Sequence, residues 1–147
     1  MMLPELSAYE RFVYGLPGTF SVIRLSTLVV VRHSAAFAEL TGTLFFENEI
    51  TLEVWEDLDF AKGVIAGYSY AANQRGSRLY WYDPQPHPND STLQSTHPHH
   101  KHVPPDIKHH RIPAPGMSFT EPNLPYLIKE IELLLREGNR AAVDDAQ

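Results

Sequence analysis

Between residues 20 and 83 the apolar positions follow a period of two, and straight after Asp83 a proline-rich stretch breaks the pattern. Together these features constrain the chain to a sheet-forming body followed by a long irregular segment. Residues 20–32 are rich in β-branched side chains and read as a strand. Residues 43–46 and 50–58 read as a hairpin turned at Glu47-Asn48-Glu49, where Asn48 tolerates positive φ. Leu52, Val54 and Leu58 alternate with Glu53 and Asp57, as a sheet with one wet face requires. Residues 64–72 and 78–82 form a second expected hairpin, turned through Asn73-Gln74-Arg75-Gly76. The sum is an antiparallel meander of about five strands. Residues 83–120 hold eight of the twelve prolines. Proline donates no ladder hydrogen bond, so this stretch is expected to run extended over the surface.

A helix is expected at each end. Residues 4–16 place Leu6, Tyr9, Val13 and Leu16 on one stripe, with Pro4 in the first turn and Gly15, Pro17 and Gly18 as the stop. Residues 124–137 place Leu124, Ile128, Ile131 and Leu135 on another, widened by Leu127 and Leu134. Asn123 is the expected N-cap and Gly138 the C′ residue, leaving residues 138–147 as a disordered tail. A chain of 147 residues has the length of one domain. Its hydrophobic fraction of 43% against 20% charged excludes wholesale disorder. The expectation is therefore a single α+β domain, with a core over about residues 4–137 and both helices on one face of the sheet. A more closed small barrel is the alternative.

The absence of cysteine excludes disulfides, thiolate metal sites and a cysteine nucleophile. Neither a membrane-length apolar run nor a basic stretch leading into an apolar one is present, so a cytoplasmic protein without a membrane segment is expected. The formal net charge of −6 argues against general, salt-driven binding to nucleic acid. The charge is segregated, however. Residues 34–61 carry no Lys or Arg but hold Glu39, Glu47, Glu49, Glu53, Glu56, Asp57 and Asp59. Residues 75–111 carry Arg75, Arg78, Lys101, Lys108 and Arg111 against Asp83, Asp90 and Asp106, and seven of the eight histidines lie there too.

The chemistry concentrates in Tyr80-Trp81-Tyr82-Asp83-Pro84-Gln85-Pro86-His87-Pro88 and His97-Pro98-His99-His100-Lys101-His102. In an extended segment alternate residues share a side, so His97, His99 and Lys101 point one way and His100 and His102 the other. Three readings stand. The first is metal-independent RNA cleavage. A neutral imidazole takes the ribose 2′-OH proton, a protonated one serves the leaving 5′-oxygen, and Lys101 or Arg78 offsets phosphoryl charge. Asp83 orients an imidazole, and Tyr68, Tyr70, Tyr80 and Tyr82 are candidate platforms for unpaired bases. The second is a site for Zn, Ni or Cu, with His100 and His102 joined by His87 or Asp83. The third is an exposed histidine-rich loop with no role, which leaves a non-catalytic binding partner as a further function class. His33 reads as structural, His109 and His110 as flanking basic groups, and the tyrosines also suit strand packing.

The elements Tyr82-Asp83, Pro86-His87-Pro88 and Pro98-His99-His100-Lys101-His102 resemble, in order, the motifs of the TumE family of toxin–antitoxin proteins. Residues 42–58 are similar to the family's glycine-started hairpin and 123–135 to its last helix. The chain departs from the pattern at Pro84, where the family has Asn, at His87, where it has a histidine pair, and at His97, where it has Phe. The resemblance implies a toxin that cleaves RNA, partnered by a small antitoxin often bearing a helix-turn-helix domain, with room for a homodimer. Carried over by motif, Tyr82, Asp83, His87, His99, His100, Lys101 and His102 are its implied site residues. Arg78 and Tyr80 join Tyr82 as candidate substrate contacts. No cofactor is implied; Zn or another divalent metal belongs to the alternative reading.

Overall fold

The computed structural model describes residues 3–85, 90–92 and 98–145. Its chain order is α1 (Leu6–Tyr14), α2 (Leu16–Thr19), β1 (Leu25–Ser26), β2 (Val29–Arg32), β3 (Phe37–Phe45), β4 (Ile50–Asp59), β5 (Val64–Gln74), β6 (Ser77–Asp83), β7 (His100–His102), β8 (Arg111–Pro113) and α3 (Leu124–Asp145). Strands β3 to β8 pair antiparallel in chain order, and β1 and β2 share the outer edge of β3. This is an open α+β sheet in a single domain, with more strands than the five expected.

The expected strand over 20–32 starts only at Leu25 and is broken into β1 and β2 at Thr27-Leu28. Gly42 explains the break. It lies opposite in β3 with φ of 141°, and a Cβ there would stand 2.6 Å from the Thr27 carbonyl oxygen. The chain can cross this close only over a residue with no side chain. Thr27 then closes the gap by giving its backbone N–H and accepting from Thr43 N–H at its own Oγ1.

The turns follow the local chemistry. Asn48 and Glu49 both adopt positive φ between β3 and β4, and Arg75-Gly76 do so between β5 and β6. The second is a two-residue loop with both centres left-handed, the type whose twist matches its strands. Two strands arise where none was expected, β7 and β8 inside the proline-rich segment. Each has three residues, and Pro113 sits on the terminal strand, where a missing donor costs no ladder bond.

Helices α1 and α3 cover one sheet face. Leu6, Tyr9 and Val13 join Leu124, Leu127, Ile128, Ile131 and Leu135 over Leu40, Leu44, Leu52, Val54, Leu58, Tyr68, Tyr70 and Ala72. Glu56, fully buried on β4, lies between them. It accepts hydrogen bonds from Tyr9 of α1 and from Tyr70 of β5, the latter at 2.5 Å. Asn123 precedes α3, yet its side chain does not cap the helix. Its amide nitrogen donates to the Tyr70 hydroxyl (3.1 Å) and its oxygen accepts from Ser118 N–H. The expected stops also shift. Gly15 ends α1, but Pro17 and Gly18 belong to the short α2. Helix α3 runs through Gly138 to Asp145 instead of ending at Glu137. The Ala141-Ala142 pair favours that extension, and an isolated helical glycine costs only about 1 kcal/mol.

Two outcomes test this account. Gly42→Ala should destabilise the fold by about 2–3 kcal/mol in denaturant unfolding, because the methyl meets backbone that cannot yield. Burial raises the Glu56 pKa, and the two tyrosine hydrogen bonds only partly oppose it. The folded state therefore holds the proton more tightly than the unfolded chain. The associated stability is complete below the ordinary glutamate value of 4.5 and is lost as pH rises toward the raised folded value. Stability followed upward from pH 4.5 should fall more steeply in the native protein than in Glu56→Gln.

Candidate active site

Strand β6 delivers Asp83 at its last position and β7 delivers the histidines, paired Trp81 to His102, Tyr82 to Lys101 and Asp83 to His100. The pleat then sends alternate residues to opposite faces, as the sequence spacing requires. His100 and His102 lie on the face away from the helices, with Asp83 and Trp81. Lys101 lies on the helix side.

Three buried groups converge on the first face. His100 Nε2 stands 2.6 Å from Asp83 Oδ1 and 3.1 Å from His102 Nε2, and His102 Nε2 stands 3.4 Å from Asp83 Oδ2. His100, His102 and Asp83 are 1%, 4% and 7% exposed, so these contacts act in a medium that screens them little. The far nitrogens are fixed by backbone carbonyls: His100 Nδ1 donates to Pro98 O (3.2 Å) and His102 Nδ1 to Ile107 O (2.9 Å). A carbonyl only accepts, so each Nδ1 carries a hydrogen, and both Nε2 atoms turn a lone pair inward in the neutral rings. The Trp81 indole stacks on His102 with centroids 4.2 Å apart. Burial pushes the Asp83 carboxyl up, but the His100 hydrogen bond, the Gln85 N–H and the two imidazoles hold it below its usual range. Burial pushes His102 down, with the Asp83 charge opposing.

Beside His102 opens a cavity of about 420 Å³, lined also by Trp81, Gln85, Lys108, His109 and Arg111. Arg111 is there because β8 pairs it with His102. The sequence shows Lys108 and Arg111 only as members of a basic stretch. The signal that would have placed them is the strand pairing, which the prolines obscure.

Other expected site residues fall elsewhere. Lys101 donates to Glu130 of α3 at 3.1 Å and lies over the Tyr80 and Tyr82 rings at 4.2 and 5.2 Å. It is separated from His100 and His102 by the sheet. Tyr82 donates to both Glu130 oxygens, and burial followed by the Glu130 charge pushes its hydroxyl pKa far up. Tyr68, Tyr70, Tyr80 and Tyr82 are all buried, so none offers an open ring face to a base. The exposed Arg78 binds Glu53 and Asn73, five residues from Asp83 along β6, roughly 16 Å at extended rise. His99 bonds Tyr68 (2.6 Å) and packs on Phe119 with centroids at 4.5 Å. His33 pairs with Glu39 on the surface, in keeping with a structural role. His87 and His97 lie outside the described residues.

Residues 18–135 match the family model described as toxin TumE. The chain belongs to the TumE family. Membership gives it a toxin role and suggests an antitoxin partner. No curated protein and no solved structure matches. Among the described residues no helix is long and apolar enough to cross a membrane. In this TumE chain the matched region spans every strand and the Pro98-His99-His100-Lys101-His102 motif, so the histidine cluster lies within the family frame.

The segregation of the motif by face has a measurable consequence. Lys101→Met leaves the half-buried Glu130 without its cation and should cost about 1–2 kcal/mol of stability. The His100 and His102 ring signals in NMR should keep their chemical shifts, since Lys101 reaches neither.

Proposed function

We propose that this toxin cleaves RNA without a metal, using the Asp83–His100–His102 cluster as its acid–base centre. The observation that carries the reading is the convergence of two imidazole Nε2 atoms and one carboxylate beside a cavity lined by Lys108 and Arg111. The lone pairs of the two Nε2 atoms, 3.1 Å apart, and of Asp83 Oδ1, 2.6 Å from His100 Nε2, repel unless a proton lies among them, so the cluster is built to hold one proton and exchange it. Asp83 compensates the charge of whichever ring carries it.

In the proposed reaction RNA enters the cavity on the His102 side. A neutral Nε2 accepts the proton of a ribose 2′-OH. The 2′-oxygen forms a bond to phosphorus, the bond from phosphorus to the 5′-oxygen breaks, and the protonated ring supplies the proton to that oxygen. Arg111 and Lys108 offset charge on the phosphoryl oxygens, the part first assigned to Lys101 or Arg78. Trp81 fixes the His102 ring by stacking. An antitoxin that covers this cavity would silence the toxin.

The test uses protein without a polyhistidine tag and a labelled RNA pool in excess EDTA. Cleavage should persist. His100→Gln and His102→Gln should each lower it by about 10²-fold or more, the usual share of one acid–base group. Arg111→Gln should raise KM for RNA more than it lowers kcat, and His33→Gln should change neither. Cleavage that vanishes in EDTA, or survives His102→Gln unchanged, would remove the mechanism.

A further inference from the structure

We propose that Asp83, His100 and His102 also form a binding site for one divalent metal of the zinc, nickel and copper class, and that the metal silences the toxin by taking the proton's place. The silencing rests on the acid–base reading; the metal site rests on geometry alone. One nitrogen from each ring and one carboxylate oxygen lie within 4.8 Å of one another. Ligands about 2.0–2.1 Å from a tetrahedral ion stand roughly 3.3 Å apart. The two Nε2 atoms stand 3.1 Å apart, and each faces its own Asp83 oxygen, His100 Nε2 at 2.6 Å from Oδ1 and His102 Nε2 at 3.4 Å from Oδ2, spacings on either side of that value. Metal binding would open the shortest of these by about 0.7 Å.

The surroundings fit as well as the ligands. A metal-binding histidine donates its other N–H to a carbonyl or carboxylate, which fixes the ring and raises its basicity. Pro98 O and Ile107 O do this for His100 and His102, and the Trp81 ring holds His102 in plane. The three ligands are themselves buried, unlike His33, His109 and His110, which are exposed and bond to Glu39, Asp106 and Pro104 O. Two neutral nitrogens and one carboxylate leave a single positive charge on a divalent ion, a small residual charge for a buried site. Nitrogen and oxygen donors of this kind suit zinc, nickel and copper more than calcium or magnesium. Bound metal would occupy both Nε2 lone pairs. No neutral imidazole would then remain to accept the 2′-OH proton.

The experiment is a titration of EDTA-stripped, tag-free protein with zinc chloride by calorimetry, followed by RNA cleavage with and without one equivalent of zinc. One zinc per chain is expected. Asp83→Asn and His100→Gln should each weaken binding by more than about 10–100-fold, the range for losing only an outer partner of a ligand, because each removes a ligand itself. The double variant His109→Gln/His110→Gln should bind as the native chain does. Because a core histidine variant can fail to fold, cobalt chloride is added to the native protein as well. Visible absorption bands of a nitrogen- and oxygen-ligated cobalt, bleached by zinc, are expected. Cleavage should fall at least tenfold in the zinc-loaded protein. Absence of stoichiometric zinc and of cobalt bands overturns the site, as does binding that ignores Asp83→Asn but disappears in the His109/His110 double variant. Faster cleavage on zinc loading overturns the silencing. Zinc bound at the cluster of a protein that cuts no RNA in either state removes the acid–base reading and leaves the metal site standing.

Discussion

The buried carboxyl of Glu56 is the constraint on which the rest of the structure hangs. An acid in the middle of an apolar core is costly unless it stays protonated or fully hydrogen-bonded. Here the partners come from separate parts of the chain: Tyr9 from α1, Tyr70 from β5, and Asn123, at the threshold of α3, behind Tyr70. No one of these can shift without leaving a buried polar group unpaired. Both helices are thereby referenced to β4 and β5, the strands with the longest ladder. Apolar packing alone would tolerate sliding; this network fixes where each helix sits.

Strand β7 inherits that reference. A one-residue slip in β7 would exchange its two faces, bringing Lys101 out and the imidazoles in. The Lys101–Glu130 ion pair opposes the slip, because Glu130 is on α3, and α3 is positioned through Asn123 and the core stripe. The aromatic rings under Lys101 complete the pocket that only a cation with a long apolar stem would fill well. Lys101 therefore serves the motif as a register pin. That accounts for a lysine between the two clustered histidines without asking it to reach a substrate.

Much of this was legible in the sequence. The β meander, both hairpin turns, the two helical stripes and the alternation of His99 and Lys101 against His100 and His102 all follow from period and residue type. What escaped has physical reasons. β7 and β8 span three residues each, too short for a period to show, and they sit among prolines that normally exclude ladders. The break at Thr27-Leu28 depends on Gly42, a residue distant in sequence that acts by lacking a side chain. Asn123 has the right identity for an N-cap, but its side-chain oxygen accepts from Ser118 N–H instead, while its amide nitrogen donates to Tyr70. Lys101 and the tyrosines were drawn toward substrate because their chemistry suits it, and only burial reveals that they face each other.

The charge distribution gains meaning from the same topology. Glu39, Glu53 and Asp57 lie on β3 and β4, while Lys108, His109 and Arg111 gather near β7 and β8 at the other side of the sheet. The net charge of −6 repels a polyanion in general, while Lys108 and Arg111 line the cavity beside the histidine cluster. The proposed polyanionic substrate is compatible with an acidic chain, provided the interaction is local and needs no long electrostatic track. The same arrangement limits affinity for bulk nucleic acid and leaves the acidic side of the sheet available to a partner of opposite charge. Sequence-average charge argues against broad nucleic-acid binding here; the strand order gathers Lys108 and Arg111 at one place, which is compatible with the proposed substrate.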